Sequence, residues 1–205
     1  MVARMRNPQD TLEQLLLKAD PPWPPQSQTA LLRYYQLVLK WNPRLHLTTL
    51  TRPELFYERH LREVAHAAAI LSPRVTRVWD LGSGLGVPGI PLKLLLPALE
   101  VTLVEVSPHK AIFLETVIDE LGLTGIVVDC RRFQEIPPLP EGSAIMARAV
   151  ERMESILPEI LSLGQNAEQI ILFCSGHLAS LLDRPTLYPL PGSHDRWLAE
   201  LKCST

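Results

Sequence analysis

Little in this sequence invites oxidative or metal chemistry. Its 205 residues include three cysteines, Cys130, Cys174 and Cys203, which are scattered and form no C-x-x-C pair. That argues against a disulfide framework and for a reduced, cytoplasmic setting. The six histidines show no metal-ligand spacing, so no zinc site is expected. No apolar run approaches the roughly 18 residues that a membrane helix needs. The polar stretch from Met1 to Asp10 lacks a signal-peptide core. There are no internal repeats and no low-complexity tract. The expectation is a cytoplasmic, monomeric protein with no membrane partner.

Hydrophobic residues make up 46% of the chain and charged residues 20%, as in ordinary globular domains. The net charge of −2 conceals an asymmetry. Residues 33–77 carry eight Lys/Arg against three Glu, whereas residues 78–205 carry nine against sixteen Asp/Glu. A basic segment on an acidic body points to a polyanionic partner, although a solvated helix face gives the same bias.

Along the chain, Leu12, Leu15 and Leu16 sit at helical spacing before the break at Pro21–Pro25. Leu31, Tyr34, Tyr35 and Val38 mark a helix over 28–41. Asn42-Pro43 is expected to end it, and Leu45 to Leu50 to connect it to a helix over 53–71. This is a helical N-terminal cap, residues 1–73. From Val75 the pattern turns to alternating strand and helix. Strands are expected at 75–79, 100–105, 126–129, 143–147, 170–173, 186–188 and 197–201. Helices are expected at 108–121 and at 150–161, where Pro158 can bend or end the second. Repeated βα units mean an α/β fold: a mostly parallel seven-stranded sheet with helices on both faces over 74–205, joined to the cap as one structural unit.

The chain is organised around Val78-Trp79-Asp80-Leu81-Gly82-Ser83-Gly84-Leu85-Gly86-Val87-Pro88-Gly89-Ile90-Pro91. It reads as a strand, a glycine turn and a helix start. Glycines there tolerate positive φ and let a ligand approach bare backbone, and the helix N-terminus faces the turn. The dinucleotide fingerprint requires a third glycine where Val87 stands, which disfavours a nucleotide-dependent oxidoreductase. The D-x-G-x-G-x-G form resembles the first motif of Rossmann-like class I methyltransferases dependent on S-adenosylmethionine. Glu105 ends the next strand, where a carboxylate can accept hydrogen bonds from both ribose hydroxyls of an adenosine.

A more specific resemblance rests on several runs: Lys40-Trp41-Asn42 with Leu47-Thr48; Glu58-Arg59-His60; Gly86 to Pro91; Lys110-Ala-Ile-Phe113-Leu114; and Ala147-Arg148-Ala149. Together they resemble the glucose-inhibited division protein B (RsmG) family from about Leu31 to Lys202. The resemblance implies an enzyme that transfers the methyl group of S-adenosylmethionine to N7 of a guanosine in 16S ribosomal RNA, free or within an assembling small subunit. The turn itself offers Asp80, Gly82, Gly84 and Gly86 to a cofactor. Carried over from the family, the cofactor positions fall on Gly82, Val87, Phe133, Gln134 and Arg148, and Glu105, Val106 and Ser107 match its ribose segment. Arg148 and Arg132 are the expected positioning residues for the reaction. Arg59, His60, Lys110 and Arg196 are the expected RNA contacts. The chain departs from the family pattern at Gln134, usually acidic; at Ser175-Gly176, usually Lys-Gly; at His109, usually basic; and at His46, usually Asn.

Guanine N7 carries an in-plane lone pair and no proton at neutral pH, so no general base is expected. Two other readings share these motifs: a methyltransferase for a non-RNA substrate, and a non-catalytic module that binds the cofactor or RNA.

Overall fold

The computed structural model describes residues 7–148 and 153–202. Ala149, residues 150–152 of the expected second helix and Cys203 lie outside the described residues. The cap begins with α1 (Pro8–Leu17), which buries Leu12 and Leu16. In α2 (Pro25–Leu45) the residues Leu31, Tyr34, Tyr35 and Val38 are buried, as their spacing predicts. Asn42-Pro43 does not end this helix, which runs through Pro43 to Leu45. A proline so close to the end removes one backbone bond, and the last turn is held from outside. The Asn42 side chain donates to the Thr48 carbonyl and accepts from the Thr48 N–H, both at 2.9 Å. His46 closes the helix in the left-handed region at φ 49°, its N–H bonded to the Asn42 carbonyl. Histidine is one of the few side chains enriched there, as asparagine is. The exchange of Asn for His is therefore a change of helix cap.

The expected helix over 53–71 is interrupted. It consists of α3 (Pro53–Phe56), a π-helical turn (Tyr57–Arg62) and α4 (Glu63–Ala69). Such turns occur mostly as single-turn bulges inside α-helices and are frequent at functional sites. This one buries Tyr57, His60 and Leu61.

The remaining strands and helices alternate: β1 (Arg77–Leu81), α5 (Gly89–Leu95), β2 (Glu100–Val104), α6 (Pro108–Leu121), β3 (Ile126–Asp129), β4 (Ser143–Arg148), α7 (Met153–Leu163), β5 (Gln169–Ser175), α8 (Gly176–Ser180), β6 (Thr186–Pro189) and β7 (Arg196–Lys202). Pro158 lies inside α7 without ending it. The short helix α8 has no counterpart in the expected elements. The sheet order is β3-β2-β1-β4-β5-β7-β6. Strands β1 to β5 are parallel, and β7 runs antiparallel to both β5 and β6. This is the Rossmann-like architecture of class I methyltransferases, with its topological switch point between β1 and β4.

Alternation along the central strands divides the core by face. Ala144, Met146 and Ile171 join a cluster with Tyr34, Phe56, Ile90 and Phe113, so cap and sheet share one core. Ile145, Ala147 and Leu172 face α7 and α8 through Leu157, Ile160 and Leu178. Buried Gln169 ties the cap's end to the sheet. It donates to the Ile70 carbonyl at 2.8 Å and to Glu200 Oε1 at 2.7 Å, and accepts from the Ser72 N–H at 2.9 Å. Among the described residues, no helix is long and apolar enough to cross a membrane.

Candidate active site

A cleft of about 880 Å³ opens at the carboxyl ends of β1, β2, β4 and β5, between the sheet and the cap. One end is the glycine turn. Gly82 and Ser83 donate to the Val104 carbonyl at 2.9 and 3.0 Å, so the turn starts as an extension of the sheet. From the cap, Tyr34 pins the turn by donating to the Leu85 carbonyl at 2.7 Å. The glycines have separate tasks. A side chain at Gly84, φ +58°, would meet only the Gly82 carbonyl at 3.8 Å, so bare backbone faces open space. A Cβ at Gly86 would lie 2.4 Å from Ile90 Cδ1, and one at Gly89 2.2 Å from Leu103 Cδ2. Those two are demanded by packing, Gly84 by exposure to the cleft.

Glu105 lines the same end. Its Oε2 accepts from the Gly84 N–H and its Oε1 from the Ser107 N–H, both at 2.9 Å. Each oxygen keeps a lone pair for a further donor. The carboxylate is therefore oriented by the backbone before any ligand arrives.

Asp80 takes a different position from the one expected. It is wholly buried beneath the turn and does not line the cleft. Its Oδ2 accepts from the Gly89 N–H at 3.0 Å, while Oδ1 has no partner. Burial pushes its pKa up to about 7, against the pull of the Gly89 hydrogen bond. Asp80 shapes the start of α5 from below.

The other end of the cleft is cationic. Arg148 closes β4 with its side chain only 9% exposed. It donates to the Arg59 carbonyl, approaches Glu63 Oε2 at 3.3 Å and lies 5.6 Å from the centre of the Phe173 ring. Burial lowers its pKa to about 10, partly offset by Glu63, with Arg196 and Arg59 adding to the drop. Arg59 and Arg196 flank the same carboxylate. His60 is buried beside them. Its Nε2 lies 3.1 Å from Thr48 Oγ1 and its Nδ1 has no partner. Burial holds its pKa well below the ordinary value, with Arg148, Arg59 and Arg196 adding to the effect. Asn42, Thr48 and His60 thus form one contact chain from the end of α2 to the cleft.

The structure brings Gly82, Gly84, Val87, Glu105, Val106 and Ser107 to the cleft wall, with Lys110 from the first turn of α6. It places Arg59, His60, Arg148 and Arg196 there as well. It does not place Asp80, Gly86, Arg132, Phe133 or Gln134 there. Arg132 and Gln134 are exposed around a short 3-10 turn, and Phe133 packs partly against the α7 side of the core. Sequence reasoning passed over Thr48, Phe173 and Asp195 on the wall and Glu63 behind it. For Glu63 the available signal was its i,i+4 spacing from Arg59.

The broad basic segment is largely compensated. Of its eight cations, Arg33, Arg52, Arg59, Arg62, Arg74 and Arg77 each have a carboxylate within 4.0 Å. Of these eight, Arg59 alone lines the cleft, where it meets Arg148 and Arg196 from the rest of the chain.

A profile of the family described as rRNA small subunit methyltransferase G matches residues 27–180. The ribosomal RNA small subunit methyltransferase G of Nitrosomonas eutropha is 33% identical over 129 residues, covering 62% of this chain and 58% of the relative. That of Nitrosomonas europaea is 36% identical over 138 residues, covering 66% and 63%. The chain thus spans about three fifths of the length of these two relatives. That of Pseudomonas entomophila is 32% identical over 157 residues, covering 77% and 73%. Among solved structures, a mutant of MtNAS in complex with S-adenosylmethionine superposes with a TM-score of 0.61 at 20% identity, covering 95% of this chain and 84% of that one. The 23S rRNA methyltransferase ErmE gives 0.51 at 18% identity, covering 69% and 66%. These two likenesses concern the fold.

Proposed function

Because this chain belongs to the rRNA small subunit methyltransferase G family, we propose that it transfers the methyl group of S-adenosylmethionine to N7 of a guanosine in 16S ribosomal RNA. The observation that carries this reading is the cleft itself. A nucleoside half, built of bare glycine backbone and an oriented carboxylate, adjoins a cationic half that suits a polyanion.

The residues fit the donor. The open face at Gly84 admits a ligand to the backbone. The free lone pairs of Glu105 suit two ribose hydroxyls. Bound there, S-adenosylmethionine supplies an electrophilic methyl group on a sulfonium. The chain's task is then to present a guanine to it, in line and without water between. Guanine N7 has no proton to lose, so the cleft needs no base. The low pKa of His60 and the position of Asp80 outside the wall agree with that. Arg148, wedged between Glu63, the Arg59 carbonyl and Phe173, is a rigid cation able to hold an anionic group. The methyl transfer moves positive charge from sulfur to guanine, so Arg148 positions rather than neutralises. A bidentate contact to guanine O6 and N7 would occupy the lone pair that must react. The place of Arg148 is therefore on phosphate, on O6 or on the carboxylate of the methyl donor. The substrate is free 16S RNA or an assembling small subunit, and the enzyme acts as a monomer.

The test is incubation with a methyl-labelled donor and small-subunit ribosomal RNA, followed by nucleoside analysis. Label in 7-methylguanosine is the expected result. Label in another nucleoside, or none, overturns the reading.

A further inference from the structure

Glu63 is the first residue of α4, directly after the π-helical turn, and it is wholly buried. Its carboxylate meets three guanidiniums. Arg59 Nε lies at 3.1 Å, Arg148 Nη1 at 3.3 Å and Arg196 Nη2 at 2.9 Å, and Arg196 Nη1 makes a second bond. Among the described residues, no other carboxylate pairs with any of the three. Three cations around one anion leave a net charge of +2 at the edge of a cleft. Arg148 is largely buried and Arg59 and Arg196 are part-exposed, so the surplus charge sits where an anion from solution can reach it. All three arginines line the cleft, and Glu63 stands behind them.

Sheet order says where the missing anion would sit. The glycine turn follows β1 and Glu105 follows β2. Arg148 ends β4, and Arg196 opens β7 opposite Ser175 at the end of β5. From β1 to β7 is three strand spacings, about 14 Å at roughly 4.8 Å each. The cluster therefore spreads away from the nucleoside half, across the switch point. A carboxylate shared by three guanidiniums also fixes the planes of their rigid forks. The three residues that carry the donors left over all line the cleft.

We propose that Glu63 is a positioning residue that gathers Arg59, Arg148 and Arg196 into one anion cage, and that the cage takes a phosphodiester of the substrate strand. This rests on the RNA reading above and adds the residue that organises the contact. The carboxylate of the methyl donor is the competing anion, and the test separates the two.

Inorganic phosphate is the first probe. At constant ionic strength, replacing chloride by phosphate should raise the wild-type Tm more than it raises that of Arg59→Ala or Arg196→Ala. The two variants serve as controls for general salt effects. A short single-stranded RNA is the second probe. Each arginine removed should flatten the slope of log K against log salt by roughly 0.7. Glu63→Gln should weaken RNA binding at least tenfold, with partial recovery in Glu63→Asp. Affinity for S-adenosylhomocysteine should change less than threefold in all four variants. If Glu63→Gln does not fold, the arginine pair carries the test. Loss of S-adenosylhomocysteine affinity in Arg59→Ala and Arg196→Ala, with RNA binding intact, would assign the cage to the donor's carboxylate and overturn the proposal. Equal phosphate stabilisation and unchanged salt slopes in wild type and variants would reduce the cluster to an internal ion network. None of these assays requires turnover. A protein that binds RNA through the cage but transfers no methyl group would refute the methyltransferase reading and leave the cage standing.

Discussion

The two ends of the cleft are made by different means. At the glycine end, the bond from Tyr34 apart, the contacts span short stretches of chain and use backbone donors. Gly84 reaches Glu105 across 21 residues, and Gly89 reaches Asp80 across nine. At the arginine end they start from side chains and run across the fold, Glu63 and Arg196 standing 133 positions apart. Backbone donors in a turn are set by dihedral angles, so their direction survives most changes elsewhere. A charged cluster depends on every element that delivers a member. The glycine end should therefore respond to changes of shape, and the arginine end to changes of charge and salt.

The sharpest test of that contrast lies within the glycine turn. Gly86→Val places a branched side chain at φ +95° and 2.4 Å from Ile90 Cδ1. Overpacking and a strained backbone together should cost about 3 kcal/mol or more, read as a fall in the denaturant midpoint. Near-normal stability would mean that the turn is pliable rather than packed.

Gly84→Val should behave differently. Its Cβ meets no side chain, so stability should fall by only about 1–2 kcal/mol for the left-handed backbone. Calorimetry should show S-adenosylmethionine affinity reduced at least tenfold, because the side chain occupies the open face. Unchanged affinity would move the nucleoside site elsewhere in the cleft.

Asp80 offers a test by pH. Its pKa of about 7 in the fold stands above the ordinary carboxylate value of 3.8, so between those values the folded chain holds a proton that the unfolded chain has lost. That contribution to stability is complete below about pH 4 and is lost as pH rises through 7. Asp80→Asn keeps an acceptor for the Gly89 N–H and cannot ionise. Its Tm relative to wild type should rise steadily from pH 4 to 7 and then level off. A difference independent of pH would show that Asp80 does not carry the proton.

The smallest effect is expected at His60. The single-turnover rate of methyl transfer, at saturating RNA and donor, should vary less than about twofold from pH 6 to 9, because no catalytic proton transfer is needed. His60→Ala should leave that profile flat. A tenfold rise per pH unit on the acidic side, removed by one substitution, would reveal a base and point to a different acceptor atom.

Much of the glycine end was legible because its signals are local. The stripe at Leu31, Tyr34, Tyr35 and Val38 and the run 108–121 fold as their periodicity predicts. The glycine turn and Glu105 meet at the cleft as their places at the ends of β1 and β2 require. Asp80 misled because a carboxylate beside a glycine turn reads alike whether it faces a ligand or the next helix. Its burial depends on α5 folding back over it. Pro43 misled because the helix end is held by Asn42 gripping Thr48, a contact outside the helix. Arg132 and Gln134 were placed by resemblance, and their exposure depends on how the chain turns after β3.

By itself the sequence determined the alternation of strands and helices, the glycine turn and the carboxylate that faces it, since each follows from side-chain period and backbone freedom within a short stretch. Only the tertiary structure decided that Glu63 would collect arginines from the π-helical turn, β4 and β7. Coulombic attraction between distant residues has no period in a sequence; it acts once packing has brought the charges within a few ångströms.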